Sequence, residues 1–190
     1  MDIKKVGIVG LGTMGSNIAI VCARVGMETV ACEVNDVALQ NGQARIRAFL
    51  DSGVEKGKTS SEDRDAMLAR LKGTTALTDL AGCDLVIEAI NENFEEKIEL
   101  FRKLDGILEE DAILASNTST LSITEMGAAS GRPGQTVGMH FCLPAALNKL
   151  VEIAPGKLTS GDTLDAARSF LDKTGQTPIE VKDTPGFILN

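Results

Sequence analysis

The chain has no tryptophan, no tyrosine and a single histidine in 190 residues. Without the two large amphipathic aromatics the core must be aliphatic, built from Leu, Ile, Val, Ala and Met, and a hydrophobic fraction of 43% suffices for one. Cysteine is sparse and dispersed. Cys22, Cys32, Cys83 and Cys142 form no CxxC pair, and one histidine cannot complete a zinc cluster, so no metal site is expected. Thiols scattered through apolar stretches read as reduced core residues of a cytoplasmic protein. Basic residues are the minority, 19 against 27 acidic ones, for a net charge of −8. That balance argues against a nucleic-acid surface and leaves room for local anion binding by backbone donors. Long apolar runs are missing too: no stretch approaches the roughly eighteen residues of a membrane span. The apolar residues behind Lys4 and Lys5, which could mimic a leader peptide, are broken by Gly7, Gly10, Gly12 and Gly15. The length exceeds one small domain and falls short of two comfortable ones.

What is present is a glycine device at the N-terminus. Lys4–Val9 reads as a buried strand, runs directly into Gly10-Leu11-Gly12-Thr13-Met14-Gly15, and is followed by an apolar helical stretch from Asn17 to Val25. In this spacing Gly10 permits the sharp turn, Gly12 lets a pyrophosphate approach the backbone, and Gly15 allows close helix–strand packing. The free N–H groups at the helix start face the anion. A lone GxGxxG is weak, but here Glu33 follows Gly15 by eighteen residues, at the end of a second apolar run, Thr29–Cys32. That is where an acid accepts hydrogen bonds from an adenosine ribose. The three parts together imply a dinucleotide site.

Strand and helix signals alternate along the rest of the chain. Val37–Leu50 and Glu62–Leu71 read as a helical hairpin inserted after the second strand, with breaks expected at Ser52-Gly53 and at Lys56–Ser60. Asp84–Ile90, Ala112–Ala115, Thr136–Phe141, Leu150–Ala154 and Pro178–Val181 read as strands. Asn93 with Glu96, and Ser122 with Glu125, are capping boxes, and Ser160 opens a helix over Gly161–Lys173. Such alternation predicts an α/β fold: a Rossmann-type, doubly wound, mainly parallel sheet with helices on both faces.

Ligands of such sheets lie beyond the carboxyl ends of the strands. There the chain places Asn91, Glu92 and Asn93, then Ser116-Asn117-Thr118-Ser119, and His140 near the end of its strand. Glu152 is a carboxylate in an otherwise apolar strand, where an unpaired charge is costly. His140, twelve residues earlier, is its natural partner. A carboxylate that holds one imidazole nitrogen fixes the tautomer and leaves the other nitrogen to take a proton from an alcohol while hydride departs. On spacing alone, a structural His–Glu pair remains equally open.

The runs Ser116–Ile123, Gly138-Met139-His140-Phe141, Leu150-Val151-Glu152, Thr159-Ser160 and Lys182–Asn190 complete a pattern. It resembles the NAD-binding domain of the short-chain L-3-hydroxyacyl-CoA dehydrogenases over essentially the whole chain. The resemblance implies NAD as cofactor, an acyl-CoA substrate, His140 as catalytic base and Glu152 as the carboxylate that orients it. It further implies Ser119 on the substrate oxygen and Asn190 on the thioester side. Glu33 then favours NAD over NADP, and Gly10, Gly12, Thr13, Met14, Gly15, Ala89, Glu92, Lys97 and Asn117 complete the cofactor set. Lys56 and Lys58, near the hairpin tip, fall where the family meets the coenzyme A phosphates.

Two departures accompany the likeness. The family usually reads His-Phe-Phe-Asn-Pro, and this chain reads His140-Phe141-Cys142-Leu143-Pro144, which loses an asparagine's hydrogen bonds. In the family a helical domain follows the last motif, closes the substrate cleft and makes the dimer. Residues 1–190 are therefore expected to be the NAD-binding domain alone, poorly active by itself and dimeric only with that further domain. Two other readings are compatible with the residues: a dehydrogenase of a 3-hydroxy acid without coenzyme A, and a non-catalytic NAD-binding protein. The 3-hydroxyisobutyrate type, which shares the Gly-Leu-Gly-x-Met-Gly opening, is disfavoured because it lacks the hairpin and uses lysine in place of a His–Glu pair.

Overall fold

Short apolar runs with alternating inward faces form the strands of one sheet. In the computed structural model, which describes residues 1–189, these are β1 (Lys5–Val9), β2 (Glu28–Cys32), β3 (Leu71–Thr74), β4 (Leu85–Glu88), β5 (Ile113–Ser116), β6 (Thr136–Phe141), β7 (Leu150–Pro155) and β8 (Thr177–Glu180). The sheet order is β3-β2-β1-β4-β5-β6-β7-β8. Strands β1 to β6 run parallel, β7 is antiparallel to β6, and β8 is parallel to β7. The α/β, mainly parallel, Rossmann-like expectation is met.

Six α-helices cover the two faces: α1 (Thr13–Arg24), α2 (Asp36–Glu55), α3 (Ser61–Ala69), α4 (Phe94–Asp105), α5 (Ile123–Ser130) and α6 (Gly161–Lys173). Strand alternation divides the core accordingly. Ile8, Ile87 and Met139 pack with Ile18 of α1, Ile46 of α2 and Phe170 of α6. On the other face Val9, Val86 and Leu114 pack with Phe101 and Leu104 of α4 and Met126 of α5. Each fully buried side chain of this size removes roughly 1.5–3 kcal/mol worth of apolar surface from water. No described helix is long and apolar enough to cross a membrane.

The helical hairpin is present, and the structure corrects the expected outline of the chain at three points. First, α2 runs unbroken through Ser52-Gly53, and the chain turns only at Gly57, whose φ of +64° suits a residue without Cβ. An interior glycine costs a helix about 1 kcal/mol, which a twenty-residue helix absorbs. Second, α3 ends at Ala69, and residues 71–74 form β3, a strand absent from the expected outline. Leu71 continues the helical apolar spacing, but pairing with β2 (Thr29 with Leu71, Cys32 with Thr74) overrides it. Third, α1 begins at Thr13, four residues before the apolar stretch, because its first turn is polar and partly open.

Candidate active site

The first site grows from the β1–α1 turn. Gly10 has a φ of +91°, and a Cβ there would lie 2.7 Å from the Ala89 carbonyl oxygen. A Cβ on Gly15 would lie 1.8 Å from the Gly10 carbonyl, so only glycine lets α1 start this close to β1. Gly12 differs: a Cβ would meet nothing within 4 Å, since it projects into open space. Five α-helices carry a side-chain N-cap, from Asn35, Ser60, Asn93, Ser122 and Ser160. Helix α1, headed by Gly12, carries none. Its first turn is thus an uncapped, positively polarised end facing room that a phosphate can fill.

Gly10, Gly12, Thr13, Met14, Glu33 and Ala89 line one cleft of about 700 Å³. Leu77, Ile90 and Leu100 also line it and supply apolar surface suited to a flat base. Glu33 directly follows β2 with its carboxylate on the glycine loop, accepting from the Leu11 N–H at 2.6 Å and from Val34 N–H at 3.0 Å. Thr75, Leu77 and Glu96 also line the cleft; the first two carried no sequence signal and Glu96 only a capping one, because they reach it from separate loops and helices.

The second site lies where β6 and β7 pair. Antiparallel register puts His140 directly opposite Glu152, and both side chains are buried. His140 Nδ1 is 2.7 Å from Glu152 Oε2, and His140 Nε2 is 3.2 Å from Ser119 Oγ. A hydroxyl, an imidazole and a carboxylate thus stand in one row, an arrangement in which an imidazole carrying its proton on Nδ1, toward the carboxylate, has Nε2 free to accept. The Phe187 ring leans on the imidazole, centroids 5.8 Å apart. Asn117 reaches the same corner, its Oδ1 accepting the Phe141 N–H at 2.9 Å. Leu143 is half exposed on the β6–β7 loop. Asn190 lies outside the described residues.

Glu92 and Lys97 sit apart from the cleft lining, in a third cluster. Lys97 is buried, donating to Glu88 at 2.5 Å and lying 3.3 Å from Glu92. Glu88, buried at the end of β4, also accepts from Ser116 Oγ at 2.6 Å and Ile90 N–H at 2.7 Å. Glu92 collects the Ser119 loop: the Thr118 hydroxyl, the Ser119 N–H at 2.9 Å and the Thr120 N–H and hydroxyl at 3.1 Å. Burial pushes its carboxyl up, but these donors and the Lys97 charge outweigh that and hold it below the ordinary range.

Lys56 and Lys58 are exposed at the hairpin tip. Lys58 shares a surface hollow with Arg24 and Arg70, at the far end of α1 from the glycine turn. The thiols are quiet. Burial pushes Cys22 up to about 12 and Cys32 and Cys83 up to about 11. Cys142 is raised by burial and then by the Glu152 charge.

The fold and the glycine cradle define a Rossmann-like, NAD-binding domain. Residues 5–184 match the family described as "3-hydroxyacyl-CoA dehydrogenase, NAD binding domain", and the chain belongs to that family. It is 42% identical over 186 residues to a probable 3-hydroxybutyryl-CoA dehydrogenase of Deinococcus radiodurans, covering 98% of this chain and 66% of that protein. It is 40% identical to the 3-hydroxybutyryl-CoA dehydrogenase of Bradyrhizobium diazoefficiens, covering 99% and 64%. The crystal structure of (S)-3-hydroxybutyryl-CoA dehydrogenase from Ralstonia eutropha superposes with a TM-score of 0.97 at 42% identity, covering 100% of this chain and 67% of that one. The chain thus spans about two thirds of the length of these relatives.

Proposed function

We propose that this chain carries the cofactor site and the catalytic base of an NAD-dependent oxidoreductase acting on the 3-hydroxy carbon of a short-chain L-3-hydroxyacyl-CoA. The observation that carries the reading is the Ser119–His140–Glu152 row at the carboxyl end of the sheet that bears the NAD cradle. When bound, NAD supplies the hydride acceptor. Gly10, Gly12 and the α1 N-terminus would hold its diphosphate, and Glu33 would accept from the adenosine ribose and repel a 2′-phosphate, favouring NAD over NADP. Glu92 and Lys97 act beneath this site, through the loop they hold.

Glu152 keeps the imidazole in the Nδ1–H tautomer, so Nε2 accepts the proton of the 3-hydroxyl as the carbon is oxidised. Ser119 lies within reach of the same oxygen and orients it. The imidazolium formed stays beside a carboxylate in a dry corner, which stabilises the charge as it develops. Lys56 and Lys58 supply positive charge for the coenzyme A phosphates. Helix α2, roughly 30 Å long at 1.5 Å per residue, spans from the glycine cradle to that tip.

The test uses a form extended to the full length of these relatives. It is assayed with NADH against acetoacetyl-CoA and free acetoacetate. Turnover of the thioester alone is expected, and His140→Gln should abolish it while sparing NADH binding. Preference for the free acid would replace the substrate class; undiminished turnover in His140→Gln would remove the base.

A further inference from the structure

The segment 182–189, which follows β8, makes contacts that the hydride-transfer scheme leaves unused. Asp183 lies against the first turn of α5, sixty residues away in sequence from Ile123. Its Oδ1 accepts the Ile123 N–H at 2.9 Å; its Oδ2 accepts the Thr124 N–H at 2.8 Å, the Thr124 hydroxyl at 2.6 Å and the Ser122 hydroxyl at 3.3 Å. Helix α5 already has Ser122 as its own cap, satisfying the Glu125 N–H. Asp183 takes the donors that Ser122 does not reach, and so ties the segment down at a fixed point.

From there the chain doubles back through two left-handed residues, Gly186 at φ +85° and Phe187 at φ +47°. For phenylalanine this is an unfavourable backbone that persists only when its surroundings hold it. The turn lays Phe187 on the His140 ring. It then delivers the N–H groups of Ile188 (2.9 Å) and Leu189 (3.2 Å) to Glu152 Oε1. Glu152 therefore has one oxygen on the imidazole and the other saturated by the segment. Without those donors, a carboxylate 1% exposed would be free to rotate and lose its aim at Nδ1.

We propose that Asp183 is a positioning residue for the His140–Glu152 pair, acting by clamping the strap 182–189 onto α5 so that Ile188, Leu189 and Phe187 lock the carboxylate and the imidazole together. The proposal rests on the reading of that pair as the catalytic base and its orienting acid. It differs from a simple capping role, which would affect α5 stability and leave the imidazole untouched.

Because His140 is the sole histidine, a tag-free, 15N-histidine-labelled chain gives a single imidazole signature. The measurement is the water-exchange rate of its Nδ1–H, its tautomer, and the exchange of the Ile188 and Leu189 amides. In Asp183→Asn all three protons should exchange at least about tenfold faster, as for a local opening, with NADH affinity kept because the β1–α1 cradle makes none of these contacts. Freed amides with an unchanged imidazole, or unchanged amides, would overturn the proposal. Glu152→Gln separates the two layers: if it leaves the imidazole signature as in the parent, the pair itself falls, and the base assignment with it. Should Asp183→Asn lose NADH binding through misfolding, Thr124→Ala decides. It removes the Thr124 hydroxyl, which donates to Asp183 and accepts the Lys157 N–H, and keeps the Ser122 cap; the same three protons should exchange faster by a smaller factor, and no change overturns the proposal.

Discussion

Lys97 Nζ lies 2.5 Å from a Glu88 carboxylate oxygen, and the two side chains are 1% and 0% exposed. A pair this deep has given up its hydration and is held by mutual attraction plus the hydrogen bonds from Ile90 and Ser116. Removing one partner leaves the other charge uncompensated. Lys97→Met should therefore cost about 3–5 kcal/mol of folding stability. The double variant Glu88→Gln, Lys97→Met, which buries no charge, should recover a large part of it. Urea denaturation of the three proteins measures both. NADH affinity of the folded Lys97→Met protein should be unchanged; a specific loss of affinity without loss of stability would make Lys97 a cofactor ligand instead.

The place of Lys97 also marks the limit of what a sequence discloses. Gly10, Gly12, Gly15 and Glu33 were legible because each position is dictated by local backbone geometry and fixed spacing. His140 and Glu152 were legible because a lone histidine and a carboxylate in an apolar strand both call for a partner. Lys97 lies one turn into an amphipathic helix, where lysine ordinarily marks a wet face, and its partner Glu88 belongs to the preceding strand. Burial there is decided by tertiary packing. Asp183 was hidden for the same reason, since the donors it satisfies lie sixty residues away. Strand β3 was masked by Leu71, whose spacing extends the helical pattern of α3 into a segment that β2 recruits.

Gly12 and Gly15 separate binding from folding. Gly12 has a φ of −62° and open space around its missing Cβ, so Gly12→Ala fits the backbone. Its methyl group would occupy the room left for the diphosphate. The expected outcome is a midpoint of thermal unfolding close to the parent's and NADH affinity weaker by tenfold or more, about 1.4 kcal/mol. Gly15→Ala has no such choice, because a Cβ 1.8 Å from the Gly10 carbonyl forces α1 away from β1. It should lower stability by several kcal/mol, in the range of overpacked cores or beyond. Fluorescence titration with NADH and thermal melts of both variants check the contrast. Equal effects on stability would mean that the turn does not divide these tasks.

Glu92 should make stability depend on acidity in a defined direction. Burial alone would raise its carboxyl; the Thr118 hydroxyl, the Lys97 charge, the Ser119 N–H and the Thr120 hydroxyl together lower it below the ordinary 4.5. A group whose folded value is depressed contributes fully above its unfolded value and loses that contribution as the pH falls through the folded one. Glu92→Gln keeps the shape and removes the titration. The parent should therefore be more stable than Glu92→Gln near neutrality, and the gap should close progressively as the pH drops below about 4.5. Urea midpoints of both proteins across that range measure it. Because Glu92 also gathers the loop that carries Ser119, the Gln variant should loosen the Ser119–His140 contact, visible in the single imidazole signal at neutral pH. A stability gap that is constant with pH would show that its carboxylate charge plays no part in holding that loop.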